Sequence, residues 1–244
     1  MSRVAQELCE DLASDGVSYA EIRYCPELHT QKGLRPENVV YAVGGALQLK
    51  DHGLKARQII TALRNLGPEY ALRMVHLAEC IKDAGVVGVD LAGDEYNYPP
   101  ELFVEAFTYA RDRGIPITLH AGEGRTEQLA KNVRTAVELG AQRIGHGVAA
   151  MLDETVLDLL AERKVVVEIC PTSNIHTKSI DTYADHPARL FHDRGIQIVP
   201  CADNRFLSQT TTSQEYQCLA KSNGFTKQEL TRIAAQSFAA SFDT

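Results

Sequence analysis

Seven short strand-like runs recur along the chain, near 17–24, 54–63, 86–92, 115–120, 141–146, 165–170 and 196–201. Between them lie stretches whose apolar residues repeat at helical spacing. Leu102, Phe103, Ala106, Phe107 and Ala110 form one such stripe, and Leu129, Val133, Ala136 and Val137 form another. Strands that alternate with helices lie parallel, because each helix serves as the crossover to the next strand. Two architectures fit this order. One is a (β/α)8 barrel, here incomplete by one strand; the other is a doubly wound open sheet. The Gly-x-Gly-x-x-Gly turn that would favour the dinucleotide-binding form of the open sheet is absent.

Local signals support the alternation. Pro36 opens a helix carrying Val39, Val40, Val43 and Leu47, and a second helix is expected over 69–84. Residues 27–35 read as a loop. Pro99 and Pro100 sit where a first helical turn tolerates proline. Thr126 and Asp153 are expected to cap helices, another helix is expected near 187–194, and capping boxes are expected at Thr212–Glu215 and Thr226–Glu229. No linker or low-complexity tract divides residues 1–244, so a single domain is expected.

The bulk properties narrow the function. With 44% hydrophobic and 23% charged residues, the composition is that of an ordinary globular protein. A net charge of −7 argues against a nucleic-acid surface, which needs clustered Lys and Arg. Six scattered cysteines without a Cys-x-x-Cys pair suit reduced thiols and a cytoplasmic protein. The first residues lack the apolar core of a signal peptide. No run of about 18 apolar residues would span a membrane, so no membrane partner is expected.

Several strands end on reactive or permissive residues. The third runs into Leu91-Ala92-Gly93-Asp94-Glu95, and the fourth into His120-Ala121-Gly122-Glu123. Gly145-His146-Gly147 closes the fifth, Cys170-Pro171-Thr172-Ser173-Asn174 the sixth, and Cys201-Ala202-Asp203-Asn204 the seventh. Any one of these is unremarkable, since a lone strand-end histidine is ordinarily structural and a lone glycine is a turn. Their joint appearance at one end of successive strands is the signature of a site.

The chemistry they suit is metal-assisted hydrolysis. Zinc takes imidazole and carboxylate ligands and keeps one position open for water, whose pKa then drops to about 7. His120 and Asp203 offer one nitrogen and one oxygen ligand. Glu123 stands close enough to carry a proton, and His146 can steer water or stabilise charge. At position 93, glycine would let a planar substrate approach the backbone. His29, His52, His76, His176, His186 and His192 fall in expected loops or helix faces, where surface or capping roles are the default. Cys170 and Cys201 lie within expected buried strands, where thiols are usually inert.

In their order, the strand-end motifs, with Ala20-Glu21-Ile22-Arg23-Tyr24 and Arg143-Ile144-Gly145-His146-Gly147, resemble those of adenosine deaminases from about residue 4 to about residue 242. The pattern differs from the zinc deaminases built on His-x-Glu and Pro-Cys-x-x-Cys. The resemblance implies a (β/α)8 barrel with one zinc ion, converting adenosine and 2′-deoxyadenosine to inosine and deoxyinosine with release of ammonia. It implies His120 and Asp203 as zinc ligands and Glu123 as the proton donor to purine N1. His146 is implied beside the attacking water, and Gly93 against the purine ring.

Two departures bear on this. At position 204 an asparagine stands where many family members carry aspartate, with Arg205 next instead of proline. Its amide can donate directly to purine N7, so purine binding is expected to survive. The family's first strand carries a His-x-His pair that supplies two more zinc ligands, and no His-x-His occurs here. The expectation is therefore a chain shortened at its N-terminus relative to the family, lacking the first barrel strand. Two rival readings follow: an inactive short form that keeps a purine cleft, and a relative acting on adenine or another 6-aminopurine.

Overall fold

The computed structural model describes residues 1–48 and 53–243. It packs as two compact units. The first comprises Met1–Gly93, Leu102–Ile117 and the chain from Phe242; the second comprises Asp94–Glu101 and Thr118–Ser241.

In the first unit, α1 (Ser2–Ser14), β1 (Tyr19–Tyr24), α2 (Pro36–Leu47), β2 (Lys55–Leu63), α3 (Pro68–Cys80), β3 (Val86–Ala92) and α4 (Val104–Asp112) follow in order. The strands form a parallel sheet in the order β1-β2-β3, with Tyr19 opposite Lys55 and Ile60 opposite Val89. Helices α1 and α2 bury Ala5, Cys9, Val43, Ala46 and Leu47 with Ala56 of β2. Phe242 returns to this unit, where its backbone N–H donates to Glu21 Oε1 at 2.7 Å. Asp243 pairs with Lys55 at 2.7 Å and Arg57 at 2.8 Å, which holds its carboxyl below the usual carboxylate range.

The second unit runs β4 (Thr118–Ala121), α5 (Glu127–Glu138), β5 (Arg143–His146), α6 (Glu154–Glu162), β6 (Val166–Ile169), α7 (Pro171–His176) and α8 (Ala188–Asp193). It continues with β7 (Ile198–Pro200), α9 (Arg205–Ser208), α10 (Thr212–Ser222) and α11 (Lys227–Ala239). Its four strands are parallel in the order β4-β5-β6-β7. They are short and buried on both sides, as parallel strands under helices are.

Seven parallel strands among the described residues match the expected alternation, and β3 matches its expected bounds. The others are trimmed. β4 begins at Thr118 rather than 115, because Pro116 has no N–H to give a ladder. The helix expected over 69–84 stops at Cys80, and a 3-10 turn at Lys82–Ala84 leads into the left-handed Gly85. Residues 27–35 contain 3-10 turns, and Pro100–Phe103 is a 3-10 turn preceding α4.

The expected caps at Thr126, Asp153 and Thr226 form. The box expected at Thr212–Glu215 shifts by one residue to Thr211 and Gln214. Glu215 is unavailable for capping. It is fully buried, and its carboxylate accepts the Thr172 N–H at 3.1 Å and the Thr210 hydroxyl at 2.5 Å.

Candidate metal and purine site

The C-terminal ends of β4, β5 and β7 bring three potential ligands together. His120 is the penultimate residue of β4, His146 ends β5, and Asp203 follows β7 by three residues. Parallel register sets Ala121 opposite His146 and His120 opposite Gly145, so the two imidazoles lie on adjacent strands. Their ring centroids are 5.2 Å apart. One ligand atom each from His120, His146 and Asp203 falls within 4.8 Å of the others.

The backbone is bent to achieve this. His146 has φ 67° and Asp203 φ 50°, both in the left-handed region. That conformation costs a non-glycine residue about 1–3 kcal/mol and persists only where surrounding contacts enforce it. Ala121 C=O accepts the N–H of Gly147 at 3.1 Å, tying the end of β4 to the turn after His146. Ser173 Oγ donates to Asp203 Oδ2 at 2.7 Å, orienting the carboxylate.

Glu123 joins the group from the loop after β4. Its Oε2 lies 3.6 Å from His146 Nε2, and its side chain is 29% exposed. The loop turns at Gly122 with φ 76°, where a Cβ would come within 2.6 Å of Val133. Glu95, buried, grips the same loop: its carboxylate accepts the Gly122 N–H at 2.9 Å and the Glu123 N–H at 2.7 Å. Asn132 in turn donates to Glu95 Oε2 at 3.2 Å and to its C=O at 3.1 Å.

Two expected site residues, Asn204 and Gly93, are not among the three clustered ligand-type residues. Asn204 is exposed at the N-cap of α9 and makes no side-chain cap bond. Gly93 belongs to the first unit, exposed after β3 with φ 105°, a conformation suited to glycine and open to close approach.

Of the remaining histidines, His76 and His176 are exposed, and His29 and His192 half-buried. His76 stacks on Tyr109, and His192 lies 3.6 Å from Glu229. His52 lies outside the described residues. His186 departs from expectation. It does meet a helix start, accepting the Ala188 N–H, but it is buried rather than at the surface. Its Nε2 faces Asn174 Oδ1 at 3.3 Å, and Asn174 Nδ2 faces His146 Nδ1 at 3.1 Å.

Sequence reasoning thus missed roles for Glu95, Asn174, Ser173 and His186. The first three stand inside the strand-end motifs, so their positions were visible though their contacts were not. His186-Pro187 precedes a helix like any surface cap, and nothing local reveals its burial. All six cysteines are free. Cys170 is buried and Cys201 is half-buried just beyond β7.

The donor set fits zinc. Imidazole nitrogen and carboxylate oxygen are its ordinary ligands in catalytic sites, and a cluster this tight at a strand-end mouth can close on one cation. Parallel α/β architecture with such a group at its strand ends is an arrangement that metal-dependent hydrolases use. The family profile for adenosine deaminase matches residues 1–244. The chain is 38% identical to adenosine deaminase of Enterococcus faecalis and 39% identical to that of Clostridium acetobutylicum. Each comparison spans 99% of this chain and 72% of the relative.

Among solved structures, adenine deaminase from Arthrobacter aurescens superposes with a TM-score of 0.90 at 28% identity, covering 100% of this chain and 74% of that one. The N6-methyl-AMP deaminase of Arabidopsis thaliana gives 0.91 at 28%, covering 100% and 73%. A zinc-bound amidohydrolase from Burkholderia ambifaria gives 0.91 at 27%, covering 100% and 68%. The chain belongs to the adenosine deaminase family. Its α/β fold of parallel strands is theirs.

Proposed function

We propose that the chain catalyses hydrolytic deamination of adenosine and 2′-deoxyadenosine to inosine and deoxyinosine, releasing ammonia. The convergence of His120, His146 and Asp203 within 4.8 Å, with Glu123 beside them, carries the reading. His120 and Asp203 would hold one zinc ion. Bound there, the ion supplies a Lewis acid that brings the pKa of water to about 7.

The protein's own groups do the rest. Addition of water at C6 puts negative charge on the purine ring, and a proton at N1 relieves it. Glu123 supplies that proton, from a backbone fixed by Glu95 and a side chain open to the mouth. His146 faces the same space and orients the water. Asn204, with an amide donor, is suited to meet purine N7.

A second reading within the same chemistry is favoured by the solved relatives, two of which are named for adenine and N6-methyl-AMP. A third reading is purine binding at the same residues without turnover. Elemental analysis for zinc, with the ultraviolet change on adding adenosine, 2′-deoxyadenosine, adenine or N6-methyl-AMP, separates the three. Zinc with fastest turnover of the two nucleosides supports the proposal. Preference for adenine or N6-methyl-AMP replaces it with the second reading. Purine binding without turnover replaces it with the third.

A further inference from the structure

We propose that Asn174 and His186 form a positioning relay that keeps the ring proton of His146 on Nε2, so that this imidazole enters the mouth as a hydrogen-bond donor. The inference deepens the deaminase reading and rests on it for the role given to His146.

The relay has one fixed end. Ala188 is the first residue of α8, and its N–H lies 3.1 Å from His186 Nδ1. A backbone N–H can only donate, so Nδ1 accepts. His186 is 3% exposed, and burial, with His146 nearby, pushes its pKa down to about 3. It is therefore neutral at ordinary pH, and a neutral ring with an accepting Nδ1 carries its proton on Nε2. That N–H faces Asn174 Oδ1 at 3.3 Å.

The amide is thereby oriented, with its oxygen toward His186 and its NH2 toward His146. Asn174 Nδ2 lies 3.1 Å from His146 Nδ1, and an amide N–H also can only donate. His146 Nδ1 accepts. The proton of the neutral ring must sit on Nε2, the atom 3.6 Å from Glu123 Oε2.

The surroundings hold this order in place. Asn174 is fully buried and His146 is 1% exposed. The Asn174 C=O accepts the N–H groups of Ser179 at 2.8 Å and Ile180 at 3.1 Å, fixing the backbone that carries the amide. Asn223 Nδ2 donates to the C=O of Tyr183 at 3.0 Å and of His186 at 3.3 Å. In the Nε2–H tautomer that nitrogen has no lone pair to offer a cation. This separates His146 from His120 and Asp203, although all three are near enough to serve.

The test is the tautomer itself, read by two-bond 1H–15N correlation on protein labelled with 15N-histidine, with His146 assigned by its loss in His146→Gln. Wild type is expected to show a pyrrole-type Nε2 and a pyridine-type Nδ1. Asn174→Asp keeps the shape but replaces the donor with an acceptor. Nδ1 of His146 should then become protonated, its pyridine-type resonance should vanish, and kcat should fall at least about tenfold with KM little changed. His186→Gln, whose amide can still accept from Ala188 and donate to Asn174, should preserve the wild-type tautomer and most of kcat. His186→Leu frees the Asn174 amide to turn and should give mixed tautomers.

A protonated Nδ1 in wild type, or an unchanged pyridine-type Nδ1 in folded Asn174→Asp, overturns the relay. If Asn174→Asp does not fold, an unchanged His146 in His186→Leu does so. The spectrum needs no turnover. A wild type with the expected tautomer and no action on purines would therefore sink the deaminase reading while leaving the relay standing.

Discussion

The two ends of the β4–β7 sheet both bury charge, and they settle it differently. Arg143 and Thr118, at the starts of β5 and β4, both reach Glu168 of β6, the guanidinium at 2.8 Å and the hydroxyl donating at 3.2 Å. Arg143 also donates to the Ala240 C=O at 2.9 Å. The guanidinium and the hydroxyl both close on one carboxylate, a pairing made within the chain. At the other end His120 and Asp203 offer a nitrogen and an oxygen donor suited to a cation, with His146 and Glu123 beside them. One end is a joint between strands. The other is a group of ligand-type side chains close enough together to hold a cation.

Substitutions break this contrast in opposite ways. The largest effect is expected from His120→Ala or Asp203→Ala, which should remove bound zinc and lower deaminase activity about a thousandfold, the several kcal/mol a catalytic metal supplies. Thermal melting should change little. A melting loss as large as the activity loss would show that the mouth is structural too.

Arg143→Met should give the mirror image. It leaves Glu168 buried without its partner, at a cost of about 3–5 kcal/mol in urea unfolding, while the folded fraction keeps its zinc. Loss of zinc in folded Arg143→Met would erase the distinction between the two ends.

Glu123→Gln tests the mouth more finely. The change keeps shape and removes the proton, so kcat should drop about a hundredfold with zinc retained. Comparable activity would move the proton donor elsewhere.

The smallest effect concerns pH. His186 binds a proton near pH 3 when folded and near 6.5 when unfolded. Between those values the unfolded chain binds more protons, so stability falls as pH drops through this window, by up to about 1.4 kcal/mol per pH unit. His186→Gln should flatten that part of the urea-midpoint profile. An unchanged slope would mean that His186 takes up a proton in the folded protein.

Much of the scaffold was legible because its signals are local. Glycine punctuation and helical stripes place each βα step, and β3 was found to the residue. Strand ends were overestimated wherever apolar character outlasts the ladder, as at Ile115 before Pro116. The residues around the site were legible as types and positions, since His120, Glu123, His146 and Asp203 each close or follow a strand. Their supports were not. Glu95 grips a loop 27 residues on, and Asn174 reaches His146 28 residues back. Nothing in the local pattern encodes such reach. The shifted capping box has the same origin, since Glu215 was claimed by Thr172, 43 residues away.

The bond from Phe242 to Glu21 crosses 221 positions of sequence, and Asp243 binds Lys55 and Arg57 of the same early sheet. A ribosome delivers β1 and β2 long before these partners exist. All of residues 118–241 must be made while Glu21, Lys55 and Arg57 wait. During synthesis, these contacts of the first unit can form only after residues 118–241 have been made. Long-range closures of this kind are slow.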